Sequence, residues 1–138
     1  MVLSRRARLT GEIRWQEAAE LQLSYLAGAI ENYPAGYSFA LLALLEELWP
    51  TAELICAAET LPHDLTDFLR KHSGGLTVLA KTPADEAQLA ALASFTSAYP
   101  IPAEGVRYYL CHGKTCAHPV ETLEELETLM ECGEKPTY

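Results

Sequence analysis

Glu53-Leu54-Ile55-Cys56-Ala57-Ala58 decides the fold. The run is short, apolar and followed by turn residues, which is the signature of a buried strand rather than of an amphipathic helix. Downstream, Pro62 to His72 carries Leu65, Phe68 and Leu69 at helical spacing, with Leu61 just before it. Arg70 and Lys71 sit in its last turn and Gly74-Gly75 provides a stop. Leu76 to Ala80 then reads as a second strand, completing a strand-helix-strand unit whose crossover favours parallel pairing.

The same alternation continues toward the carboxyl end. Thr82-Pro83-Ala84-Asp85 has the residues of a helix start, leading into Leu89, Leu92 and Phe95, and Tyr99-Pro100-Ile101-Pro102 breaks the pattern. Val106, Tyr108 and Leu110 alternate with Arg107, Tyr109 and Cys111 as a third strand. Thr122-Leu123-Glu124-Glu125 is a capping box opening a last helix lined by Leu123, Leu126, Leu129 and Met130. The expected fold class is α/β. Residues 51–138 form a small, mostly parallel three-stranded sheet with flanking helices and a C-terminal β-hairpin turn.

Residues 1–50 have a different texture. Ala18, Leu21, Tyr25 and Ala29 place a helix over residues 14 to 31, and a second helix runs from near Pro34 to before Pro50. The short link makes an antiparallel helical hairpin, expected to join the α/β part in one compact domain. Phe39, Leu41, Leu42, Leu44, Leu45 and Leu48 surround the second helix, more apolar surface than one short chain readily covers. The implied partner is a second copy or a larger helical assembly, with Trp15, Leu23, Tyr25, Phe39, Leu42 and Trp49 as the contact surface.

At 138 residues the chain suits one ordinary core, and 49% hydrophobic with 21% charged residues matches a globular protein. Ten basic against nineteen acidic residues give a formal charge of −9, which disfavours nucleic-acid binding, since phosphate neutralisation needs a basic face. Neither a secretory apolar segment nor a membrane-length run is present; Tyr37 to Leu45, the longest nearly apolar stretch, is far too short. The expectation is a soluble cytoplasmic protein.

Chemistry concentrates in Cys111-His112-Gly113-Lys114-Thr115-Cys116-Ala117-His118, which holds half of the four cysteines and half of the four histidines. Three readings stand side by side. A hairpin about His112 to Thr115 sets Cys111 and Cys116 opposite one another, within disulfide reach if their Cα atoms fall about 4.4 to 6.8 Å apart. His112 and Lys114 would then lower a thiol pKa, making a small dithiol redox module. Alternatively, Cys111, His112, Cys116 and His118 supply sulfur and nitrogen ligands for zinc, although adjacent Cys111 and His112 point to opposite sides of a continuing strand. In the third, both cysteines are small packing residues bracketing a turn. No serine, base and acid triplet or glycine-rich phosphate loop emerges, so no catalytic residue is assigned and no cofactor beyond the zinc of the second reading is expected.

Tyr108-Tyr109-Leu110-Cys111 through Cys116-Ala117-His118-Pro119-Val120, before a glutamate- and leucine-rich helix and after an alanine-rich one, resembles the carboxyl-terminal end of the thioredoxin-domain-containing proteins related to spermatogenesis-associated protein 20. In that family a thioredoxin-like domain precedes a toroid of paired helices. The resemblance implies that residues 1–49 correspond to the last toroid helices and the remainder to the small closing α/β portion. It also carries over the Cys111 and Cys116 pair. The function so implied is a non-catalytic accessory or assembly module.

Overall fold

The computed structural model describes residues 2–48, 52–72, 76–112 and 115–133. Trp49, Gly74, Gly75, Gly113 and Lys114 lie outside the described residues. The fold is mixed α/β, with several helices and a small open sheet. It divides into two compact units: Met1–Pro50 with Leu92–Phe95, and Thr51–Ala91 with Thr96–Tyr138.

The first unit contains α1 (Val2–Thr10), α2 (Ile13–Asn32) and, after a tight helical turn at Pro34–Tyr37, α3 (Ser38–Leu48). Helix α2 packs against both α1 and α3. Sequence periodicity missed α1, because Arg5, Arg6 and Arg8 interrupt its apolar face. Those arginines are instead used locally. Arg5 donates to Glu46 at 2.7 Å, Arg8 donates to the Glu46 carbonyl at 3.2 Å, and the Arg6 guanidinium lies 4.0 Å from the centre of the Trp15 ring. The Arg5 hydrogen bond holds the Glu46 carboxyl below its ordinary value. Gly11, at φ 70°, lets the chain turn between α1 and α2 while its N–H closes onto the Ala7 carbonyl. Among the described residues of this unit, the buried ones are Ser4, Ala19, Ala43 and Ala93, all small.

The second unit is built on β1 (Ala52–Ala58), β2 (Leu76–Lys81), β3 (Val106–His112) and the two-residue β4 (Thr115–Cys116), in the spatial order β2-β1-β3-β4. Helix α4 (Leu65–Lys71) connects β1 to β2. Helix α5 (Glu86–Leu92) and a tight helical turn, Ser94–Ala98, follow β2, and α6 (Leu123–Gly133) ends the described chain. The expected strand-helix-strand unit is present, with β1 and β2 parallel. The expected mostly parallel, three-stranded sheet is not: β3 runs antiparallel to β1, and β4 antiparallel to β3. Alternation along a strand reports its faces, not its direction, so the sequence pattern was silent on this point. The physical reason lies at the end of β2. Lys81 donates to the carbonyls of Thr96 and Tyr99, bringing the returning segment back to the end where β2 finishes. Strand β3 therefore enters at that end, with Ala57 level with both Lys81 and Arg107.

Register sorts the side chains onto two faces. Leu54 pairs with Leu110 and Cys56 with Tyr108; these four join Leu65 and Phe68 from the α4 helix and Leu126 from α6 in the buried core. Ile55 pairs with Tyr109 and Glu53 with Cys111, so Cys111 belongs to the opposite face. The capping box read from the sequence is formed: the Glu125 N–H donates to the Thr122 hydroxyl oxygen, and the Glu125 carboxylate accepts from the Thr122 and Glu121 N–H groups. These bonds, the Glu121 backbone N–H first, hold the Glu125 carboxyl below its ordinary value. Replacing Thr122 with Ala removes one cap of the helix that delivers Leu126 to the core. The expected cost is about 1 kcal/mol in urea unfolding, against no loss of stability for Thr128→Ala in the interior of the same helix, where alanine is the better helix former.

Candidate disulfide site

The chain returns along β3 after Thr115. The Ala117 N–H donates to the Leu110 carbonyl at 2.8 Å, and Tyr108 and Val120 exchange both backbone hydrogen bonds at 2.8 and 3.1 Å. Three steps on the returning segment, Ala117 to Val120, thus oppose two steps on β3. The extra residue is a bulge at His118-Pro119, where the proline has no N–H to offer the ladder.

This ladder fixes the cysteines. Since Leu110 and Ala117 are a hydrogen-bonded pair, the next pair, Cys111 and Cys116, occupies the non-hydrogen-bonded position where facing side chains approach most closely. The two are joined by a disulfide of 2.05 Å, their Cα atoms 3.9 Å apart, closer than expected from the sequence because of this position. Cys111 is buried at 3% exposure, whereas Cys116 is exposed.

Tyr99, absent from every sequence-based candidate set, completes the site. Its hydroxyl lies 3.0 Å from the Cys116 sulfur and 3.5 Å from that of Cys111. A disulfide sulfur carries no proton, so the hydroxyl is the donor. Three contacts hold Tyr99: the Lys81 ammonium on its carbonyl at 2.9 Å, its own N–H on the Thr96 carbonyl at 3.2 Å, and the Tyr109 ring with centroids 4.9 Å apart. Tyr109 in turn donates to the Pro100 carbonyl at 3.1 Å. The buried Lys81 ammonium also meets the Glu86 carboxylate at 3.0 Å, so its charge is paired and its remaining donors serve carbonyls. The sequence signal for Tyr99 was its place in a proline-rich break, which marks a loop but names no contact.

Other candidates fall elsewhere. Strand β3 continues through His112, whose side chain therefore projects on the face opposite Cys111, as its adjacency implied. His118 is exposed on the bulge. Among the described residues no group of three or more His, Cys, Asp or Glu side chains comes together to hold a metal, and the two sulfurs of the zinc set are bonded to each other. In the first unit Tyr25 is 86% and Phe39 78% exposed, Leu42 is exposed, and Leu23 is half-buried beside a groove of about 600 Å3 lined by Leu3, Ala19, Phe39 and Ala43. Trp15 is half-buried between Arg6 and Arg14. No described helix is long and apolar enough to cross a membrane.

Cys56 is the contrasting thiol. It is wholly buried in the core, and burial pushes it up to about 12, as it does the neighbouring Tyr108, whose hydroxyl the charges of Cys56 and Asp64 also raise. For both groups the folded chain favours the protonated form. This stabilisation is therefore full below their ordinary values of 9.0 and 10.0 and is lost as pH rises toward about 12. Urea unfolding should show stability falling above about pH 9, with a shallower fall in Cys56→Ala. Cys56 should stay silent toward a thiol-specific dye until the chain unfolds.

Comparison of the chain with protein-family models, curated proteins and solved structures finds no match.

Proposed function

We propose that the second unit is a small dithiol–disulfide module, in which Cys111 and Cys116 cycle between a disulfide and two thiols. The observation that carries this reading is the asymmetry of the pair: one sulfur exposed on a two-residue edge strand, its partner buried, and a tyrosine hydroxyl within reach of both. Exchange requires access for an incoming thiolate to one sulfur and a stabilised leaving thiolate on the other. Cys116 offers the first; the second forms at Cys111, where burial disfavours charge and the Tyr99 hydroxyl lies within reach. Sitting at the end of the sheet order, β4 also leaves the β1–β3 core pairing untouched when the bond opens.

The chemistry balances with a small thiol as reductant. Its thiolate attacks the Cys116 sulfur, the bond to Cys111 breaks, and the departing electron pair leaves Cys111 as a thiolate that takes up a proton. A second thiol then attacks the mixed disulfide, releasing an oxidised small disulfide and leaving Cys116 reduced. One protein disulfide and two thiols become two protein thiols and one small disulfide.

The test is trapping by mass. In a Cys132→Ser background, Cys111→Ser treated with oxidised glutathione should carry one glutathione on Cys116, whereas Cys116→Ser, with Cys56 and Cys111 both buried, should react at least about tenfold more slowly. Equal reactivity of the two variants would contradict the assigned direction of attack.

A second reading rests on the first unit. Leu21, Tyr25, Phe39, Leu42, Leu45 and Leu48 are exposed on α2 and α3, which this reading takes as an antiparallel hairpin. We infer an assembly role in which a second copy of the chain covers this face, because chains of net charge −9 meet with least repulsion where apolar side chains replace carboxylates. Phe39→Ala should weaken a concentration-dependent dimer by about 2 kcal/mol or more in sedimentation equilibrium. A chain monomeric at every concentration would instead favour further helices of the toroid kind that the family resemblance implies.

A further inference from the structure

We propose that Tyr99 is a catalytic residue of this exchange: its hydroxyl donates a hydrogen bond to the Cys111 thiolate as the disulfide opens. The proposal rests on the dithiol reading above and adds a residue to it. When a small thiolate attacks exposed Cys116, the electron pair of the broken bond is left on Cys111, which is 3% exposed. A thiolate there lacks the water that would solvate it, so the step is slow unless a donor is already in place. Tyr99 supplies that donor. Its hydroxyl already stands 3.0 Å from Cys116 and 3.5 Å from Cys111, so passing from one sulfur to the other needs only rotation of the O–H and a small shift of the ring.

The donor is held in advance. The Lys81 ammonium binds the Tyr99 carbonyl, the Tyr99 N–H meets the Thr96 carbonyl, and the Tyr109 ring packs against it at a tilt. Such a fixed dipole costs no reorganisation when charge develops. The proton balance is unchanged: Tyr99 shares its proton with the thiolate while the bond is open, and Cys111 takes its own proton from solvent afterwards. In the reverse direction the same hydroxyl stabilises the Cys111 thiolate before it attacks the mixed disulfide on Cys116.

The experiment is the rate at which reduced glutathione opens the disulfide of the full chain, followed by quenched intact mass across a range of pH. Tyr99→Phe keeps the ring and its tilted packing against Tyr109 and removes only the donor. It should slow opening about tenfold, as expected for loss of one hydrogen bond to a charged group. Tyr33→Phe, which removes an exposed tyrosine hydroxyl in the first unit, is the control and should match the wild type. A thiolate absorbance titration of reduced Cys116→Ser/Cys132→Ser gives an independent readout, the Cys111 midpoint moving upward when Tyr99→Phe is added while buried Cys56 titrates far higher. If the wild-type bond opens and Tyr99→Phe opens equally fast, the role of Tyr99 is overturned while the dithiol reading stands. If glutathione never opens the wild-type bond, both fall.

Discussion

The antiparallel pairing of β1 with β3 is the constraint on which the second unit depends. With β1 fixed against β2 on one side, the register Leu54 to Leu110 and Ile55 to Tyr109 decides the face of every residue on the third strand. A slip of one residue would exchange the two faces, turning Tyr108 and Leu110 out of the core and Cys111 into it. The same register that closes the core against α4 and α6 therefore places a sulfur on the other side, within reach of Tyr99.

Two devices at the sheet ends complete that arrangement. Lys81 is an expensive residue to bury, and the cost is offset by one carboxylate and two backbone carbonyls. In doing so it returns the chain to the end where β3 begins and fixes Tyr99. At the opposite edge, the bulge at His118-Pro119 lets the returning segment pair twice with β3, at Leu110 and at Tyr108, so that two-residue β4 is held without extending the sheet. Stability and candidate chemistry thus share the same backbone bonds.

Much of this was legible in the residues. The strand at Glu53 to Ala58, the crossover helix, the capping box at Thr122 and the facing of Cys111 by Cys116 all rest on local patterns: apolar period, cap chemistry and turn length. Three features were not. Strand direction leaves no mark on side-chain alternation, so β3 read as parallel. Helix α1 has three arginines where a periodic apolar stripe would announce it, and their partners lie on other helices, Trp15 on α2 and Glu46 about forty residues on. Tyr99 reaches the sulfurs across a loop whose course is set by a buried lysine eighteen residues earlier, a long-range contact that composition and spacing do not encode.

Whether the Cys111–Cys116 bond is reversible is read by an equilibrium titration in glutathione buffers of graded reduced-to-oxidised ratio, followed by intact mass on Cys132→Ser. A dithiol–disulfide pair passes smoothly between the oxidised chain and a chain heavier by two hydrogen atoms within the range glutathione can poise, above about −300 mV. A chain that stays fully oxidised in the most reducing buffer would contradict the dithiol reading and make the bond a purely structural staple of the β3 edge.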